Sequence, residues 1–266
     1  MRKGLLAALL LLPAIHTNSD ECLTEKMAVF GDSCIKKDRS IPRRIINLVS
    51  EEDVGLTMVV GDFAAPYCLD EIDPIHKSNE DFYLAFGNHD KKHIKELTDY
   101  FEFPGNERFY SFNRDGAYFI VVNTEERFTR GSEQYLWIKR ELEESRRFNF
   151  SFVFMHRPAF GDGNTSSKVR RILAPLFEEN MADVVFAGHR HNYQRGIFSN
   201  TLYVVTGGGG QGLRGKGLPV NGMEFAAKEH HFLSISYDCE KMIMRAINQE
   251  NQQIDEYTLW KRNKNN

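Results

Sequence analysis

Short apolar runs alternate along the chain with segments whose apolar residues recur at helical spacing. Met27-Ala28-Val29-Phe30 and Thr57-Met58-Val59-Val60 read as buried strands, and each is closed by a Gly-Asp pair, Gly31-Asp32 and Gly61-Asp62. Between them Ile41, Ile45, Leu48 and Val49 share one helical face, which predicts a crossover helix over residues 41–52. A third run, Phe82-Tyr83-Leu84-Ala85-Phe86, ends in Gly87-Asn88-His89-Asp90, and Ile94, Leu97 and Phe101 predict a helix over 91–101. Residues 109–112 and 118–122 form an aromatic, hairpin-like region. Ser132 is placed to cap a helix reaching about Arg147, with Tyr135, Ile138 and Leu142 on its inner face and Trp137 beside them.

The strand expected over 150–155 ends in His156-Arg157-Pro158. A helix over 167–180 follows, buried through Val169, Ile172, Leu173 and Leu176 and bent or interrupted at Pro175. A strand over 183–187 closes the alternating series with Gly188-His189-Arg190-His191. Beyond it the pattern becomes β, in runs at 202–206, 231–237, 242–247 and a weaker one near Tyr257. Strand–helix alternation followed by a β-rich tail, with no linker or fixed-period repeat, predicts an α/β fold with a large mixed sheet system.

A chain of 266 residues with 41% hydrophobic content can bury one large core, expected over residues 22–266. The 34 Lys and Arg against 37 Asp and Glu give a net charge of −3, and no basic face stands out, so a duplex nucleic-acid partner is not expected. Met1-Arg2-Lys3 leads into an apolar core of about a dozen residues, short of the about 20 that span a bilayer, so residues 1–21 have the form of an export signal. No A-x-A cleavage pattern precedes the polar stretch, which leaves an uncleaved anchor open; only then is membrane contact expected. An exported chain with four cysteines raises the prospect of disulfides. Three pairings are open: Cys34 with Cys68 if their strands are neighbours, leaving Cys22 with Cys239, is one, and four buried free thiols remain the alternative.

Asp32, Asp62, Asn88, His89, His156, His189 and His191 all stand at expected strand ends, where open α/β sheets bind ligands. Oxygen and imidazole donors without thiolates in the majority suit a pair of cations such as iron, zinc or manganese. A carboxylate can bridge two ions about 3.5–4 Å apart, and such a pair activates water while clamping the oxygens of an in-line displacement. Phosphoester hydrolysis is that reaction.

The set Gly31-Asp32, Gly61-Asp62, Gly87-Asn88-His89-Asp90, His156 and Gly188-His189-Arg190-His191 resembles the signature of the calcineurin-like metallophosphoesterases. Gly131-Ser132-Glu133-Gln134, His156-Arg157-Pro158, the run from His189 to Arg195 and Thr206-Gly207-Gly208-Gly209-Gly210 resemble its purple acid phosphatase branch. The resemblance implies a four-layer αββα sandwich, two mixed β-sheets face to face with helices outside, and a dinuclear metal centre. Asp62 would bridge, Asp32 and His191 would serve the first ion, and Asn88, His156 and His189 the second. His89 would be the acid assisting the leaving oxygen, with Asp90 as its orienting partner, and hydroxide would be the nucleophile, without a covalent enzyme intermediate. The chain departs from the branch at Cys34, where glycine is usual, and at Ala65, where an iron-binding tyrosine is usual. Tyr67 stands two residues on, which speaks against a tyrosinate–iron chromophore. Arg190 replaces the commoner aspartate and adds positive charge suited to a phosphorylated substrate. Arg157 and Arg195 follow ligand blocks and either contact phosphate or pair with surface carboxylates.

The glycine run 207–210 lacks the Gly-Lys-Ser/Thr of a phosphate cradle and reads as a flexible turn, within a segment that can border the pocket. His231, opening an apolar strand, reads as a structural histidine. The expected function is an exported, metal-dependent phosphomonoesterase acting on a small phosphorylated substrate. A phosphodiesterase is not separated from it, and an impaired relative that binds a phosphorylated ligand or partner is the rival from another class.

Overall fold

The computed structural model describes residues 22–33, 38–63, 69, 81–163 and 165–264. Residues 1–21 and Cys34, Ala65, Tyr67 and Cys68 lie outside the described residues, and with them the expected export segment, the Cys34–Cys68 pairing and the two departures from the family pattern.

Three parallel strands come first: β1 (Glu25–Phe30), β2 (Leu56–Val59) and β3 (Asp81–Leu84), with helix α1 (Ser40–Glu51) crossing from β1 to β2. The late strands β11 (His231–Tyr237), β12 (Lys241–Asn248) and β13 (Gln253–Trp260) follow as an antiparallel series with β11 on β1, giving, among the described residues, a six-stranded sheet of order β13-β12-β11-β1-β2-β3. Among the described residues the second sheet has seven strands. β4 (Tyr110–Arg114), β5 (Ala117–Val121), β6 (Phe150–Met155), β7 (Val184–Ala187), β8 (Tyr193–Phe198), β9 (Thr201–Thr206) and β10 (Phe225–Ala227) lie in the order β10-β8-β9-β7-β6-β5-β4.

The period of two along β6 shows how the layers stack. Phe150, Phe152 and Phe154 enter the core between the sheets, whereas Val153 and Met155 enter a second core beneath helices. Across the inner core Tyr237 of the first sheet meets Phe152 of the second at 5.5 Å between ring centroids. The outer core is covered by α3 (Glu133–Ser145), α4 (Ser167–Ile172) and α5 (Ala174–Glu179). The result is a four-layer αββα sandwich.

Local chemistry accounts for the boundaries. Ser132 Oγ accepts from the Tyr135 N–H at 3.4 Å and so starts α3. The helix expected over 167–180 is two helices meeting at Leu173, because Pro175 has no N–H to carry the ladder through and suits the first turn of α5. The segment after Asp90 begins as a 3₁₀ turn (Lys91–His93) before α2 (Ile94–Tyr100). Strands β8 and β10 have no signal in the apolar pattern: β8 carries Gln194, Arg195 and Gly196, and β10 is three residues at a sheet edge.

Cys22 and Cys239 form a disulfide that ties the chain before β1 to the turn between β11 and β12. Among the described residues no helix is long and apolar enough to cross a membrane.

Candidate metal centre

The parallel strands bring their carboxyl ends to one edge of the sandwich. β1 and β2 deliver Asp32 and Asp62 from neighbouring positions, and both turns adopt left-handed backbone, with φ of 57° and 52°. Aspartate tolerates that conformation better than most residues. The two turns are laced together, Asp32 N–H to Gly61 O at 3.0 Å and Ser33 N–H to Asp62 O at 3.2 Å. From the other sheet β6 and β7 deliver His156 and His189, whose own φ is 66°. The His189 N–H donates to Asp32 Oδ2 at 2.7 Å, and His156 Nδ1 lies 3.0 Å from Val60 O, so the site joins the two sheets.

Asp62, Asn88 and His189 each bring a donor atom close to His156 Nε2. His156 Nε2 lies 3.2 Å from Asn88 Oδ1, 3.3 Å from Asp62 Oδ2 and 3.2 Å from His189 Nδ1. Donors about 2.1 Å from a tetrahedral ion stand about 3.4 Å apart, so the spacing is that of a coordination shell. Beside this group His191 Nε2 faces Asp32 Oδ1 at 3.3 Å, and that oxygen is buried without a hydrogen-bond partner among the described residues. His156 and His191 each set Nδ1 against a backbone carbonyl, Val60 O at 3.0 Å and Gly212 O at 2.9 Å, which leaves Nε2 to face inward. Metal-binding histidines are oriented in this way. The residues present fit a divalent cation at the Asp62 group, and the Asp32–His191 pair stands beside it.

Charge follows the geometry. Burial alone would lower the His156 pKa, but the Asp62 carboxylate, with Asp32 behind it, raises it to about 9. Burial opposes ionisation of Asp62 too, and His156 together with the His89 N–H overrides it, holding Asp62 at about 2. Burial, and then the charges of His156 and Arg157, push His189 down to about 4. Asp32, fully buried, is raised by that burial. Close approach also explains a glycine: a Cβ at Gly87 would lie 2.2 Å from Asp62 Oδ1.

The remaining expected site residues divide. His89 stands at the mouth, 52% exposed, with its backbone N–H on Asp62 Oδ1 at 2.8 Å and its Nε2 3.9 Å from Asp62 Oδ2. Asp90, expected to orient His89, turns one carboxylate oxygen to backbone: Oδ2 accepts the N–H groups of Asp62 and Gly87, each at 2.8 Å. Arg157 does reach the donors, with Nη2 3.3 Å from Asn88 Oδ1 and Nη1 3.4 Å from His189 Nε2. Arg190, expected to favour a phosphorylated substrate, is engaged with Asp162 at 3.1 Å, and of the two alternatives open for Arg195 the structure has the carboxylate pairing, bidentate on Asp255. The glycine run is not a loose turn, since Gly207, Gly208 and Gly209 are buried, and the backbone just beyond it borders the site through Gly212 O.

Two participants escaped the sequence reading. Glu125, its side chain 3% exposed, accepts from Arg157 Nε at 2.5 Å and pairs with Lys91 Nζ at 3.0 Å, so it fixes one cation over the donors and another at the rim. The Thr124 hydroxyl accepts the Arg157 N–H at 3.2 Å. Their signal was present: Asn123-Thr124-Glu125 is a polar triple closing an apolar strand run, as the ligand blocks are.

A two-sheet sandwich with carboxylate, amide and imidazole donors gathered at its strand ends defines the class, and the comparisons agree with it. The calcineurin-like phosphoesterase family matches residues 26–193, and the chain belongs to that family. Its relatives include purple acid phosphatases. It is 30% identical to purple acid phosphatase 13 of Arabidopsis thaliana over 132 residues, 42% of this chain and 24% of that protein. It is 26% identical to a phosphoenolpyruvate phosphatase of Allium cepa over 156 residues, 50% of this chain and 32% of that protein. The matched part thus spans a third or less of these relatives. In structure, a purple acid phosphatase from yellow lupin (Lupinus luteus) seeds superposes with a TM-score of 0.75 at 20% identity, covering 90% of this chain and 54% of the lupin chain.

Proposed function

We propose that this protein is a metal-dependent phosphomonoesterase working with two divalent ions drawn from iron, zinc and manganese. The observation that carries the reading is the convergence of Asp62, Asn88 and His189 on His156 Nε2, with the Asp32–His191 pair beside it. Asp62 would be shared by the two ions, Asp32 and His191 would serve the first, and Asn88, His156 and His189 would serve the second. When bound, the ions supply a water of lowered pKa and polarise the phosphoryl oxygens.

The protein's own groups do the rest. Arg157, held by Glu125 next to the donors, is placed to take a non-bridging phosphate oxygen, and Lys91 adds a second positive charge at the rim. That mouth favours a doubly charged monoester over a singly charged diester. The exposed His89 ring is placed to give a proton to the leaving oxygen. The phosphatase relatives support the reaction class, and the onion relative is named for a phosphomonoester.

The Cys22–Cys239 disulfide and the apolar N-terminal segment support export to an oxidising compartment, with residues 22–266 acting as one catalytic unit. Metal analysis of the purified protein with a panel of monoesters and diesters tests the reading. Monoester turnover at a content of about two ions per chain is expected, with His89→Ala keeping its metal and losing most turnover. No hydrolysis of either ester class by fully loaded protein would overturn it.

A further inference from the structure

A second cationic cavity lies at the other end of the sheets. Its volume is about 420 Å³, within the range of small-molecule sites, and its walls come from the end of α3 and the C-terminal segment after β13. Arg146, Arg147, Lys261, Arg262 and Lys264 line it, with Phe148 and Asn149 between. Asn149 precedes β6 and His156 follows it, so the length of that six-residue strand, about 20 Å, separates this cavity from the metal centre.

The charges here are not balanced. Buried Asp183 is shared by two cations, Lys264 Nζ on Oδ2 at 2.5 Å and Arg262 Nη2 on Oδ1 at 2.8 Å. The Lys264 side chain is 3% exposed, a cation held in the protein interior. Arg146 donates only to a backbone carbonyl, Lys264 O at 3.1 Å, and Lys261 to Asn149 Oδ1 at 2.5 Å; neither has a carboxylate partner among the described residues. Arg147 holds an exposed pair with Glu144 at 2.9 Å, worth little in water. Like charges gathered in a concave wall repel unless an anion joins them, and the concavity focuses their field.

We propose that this cavity is a binding site for a multiply phosphorylated group, either on a free small molecule or on a lipid headgroup. Arg262 is engaged by Asp183 and the carbonyls of Met181, Ala182 and Asn200, and Lys264 by Asp183 and Ser151, so the guanidinium groups of Arg146 and Arg147 and the Lys261 ammonium are the ones that suit clustered phosphate oxygens. A single phosphate would leave much of the volume and of the charge unused. The site stands apart from the phosphatase reading and does not depend on it.

The test titrates the full-length protein with inositol hexasulfate, which a phosphatase cannot consume, and with phosphatidylcholine vesicles with and without a phosphatidylinositol bisphosphate. Binding that weakens as salt rises is expected, and Arg147→Glu with Lys261→Glu, both on exposed side chains, should weaken it at least tenfold while monoester hydrolysis is unchanged. Charge-conserving Arg147→Lys with Lys261→Arg should retain it. Binding of the free polyanion assigns a soluble ligand, and binding of the phosphorylated vesicles alone assigns a headgroup. Equal affinity in the native and charge-reversed proteins, or no binding of either probe, overturns the proposal.

Discussion

One oxygen of Asp90, Oδ2, accepts the backbone N–H of Asp62 at 2.8 Å and that of Gly87 at the same distance. It thereby holds two strand ends in register beneath the metal centre. Asp90→Ala should leave two buried donors unsatisfied and lower stability by about 2–4 kcal/mol. Because Asp62 and Asn88 ride on those strand ends, metal affinity should fall as well. Chemical unfolding and metal titration of the variant check this. Retained metal and stability with lost turnover would instead return Asp90 to the role of His89's partner.

Glu125 and Arg157 make a partly buried pair next to the donors, and burial alone would raise the Glu125 pKa; Arg157 and Lys91 instead hold it down. Glu125→Gln keeps the shape and removes the charge that fixes the guanidinium. The loss of a charge-assisted contact, about 1.4 kcal/mol, should raise KM for a monoester about tenfold, with a smaller change in kcat. Inhibition by inorganic phosphate should weaken in parallel. Steady-state kinetics on monoester and diester separate a phosphate clamp from a structural pair: a clamp loses more on the monoester.

Metal loading should release protons. With no ion bound, Asp62 keeps His156 protonated up to about pH 9, whereas a ligating imidazole must be neutral. Near neutral pH, filling the Asp62 group should therefore expel about one proton. Affinity should rise by about tenfold per pH unit toward pH 9 and level off above it. Titration in weakly buffered solution reads the proton directly, and no release at pH 7 would remove His156 from the ligand set.

Most of the fold was legible because buried parallel strands announce themselves as apolar runs, and each run that ends in a polar block proved to point at one edge. Asp32, Asp62, Asn88, His156 and His189 share that grammar. What was hidden depends on tertiary partners. Nothing in Arg190 or Arg195 says that Asp162 and Asp255 will meet them, since those contacts join distant segments. Strand β8 was missed for a related reason: its ladder to β9, not an apolar run, makes it a strand. The glycine run misled because glycine serves close packing as well as flexibility. A Cβ at Gly208 would lie 2.1 Å from His231 Nδ1, so the run is tight where it was expected to be loose.

That same His231 sets a pH limit on stability. It is fully buried, with Nε2 3.1 Å from Thr206 Oγ1 and Nδ1 3.0 Å from Glu229 O, and burial pushes its pKa from 6.5 to about 4. Neighbouring His230 is lowered as well, first by burial, and acts in the same direction. Above pH 6.5 folded and unfolded chains both carry a neutral His231, and its contribution is fully present. As pH falls from there the unfolded chain takes up a proton that the folded chain refuses until about pH 4, so stability is lost across that window. The loss should approach about 3 kcal/mol. His231→Gln should be less stable at pH 7, for want of one hydrogen bond, yet show a shallower decline toward pH 4. Urea unfolding of both proteins at several pH values decides the matter: parallel declines would mean that His231 is not the group responsible.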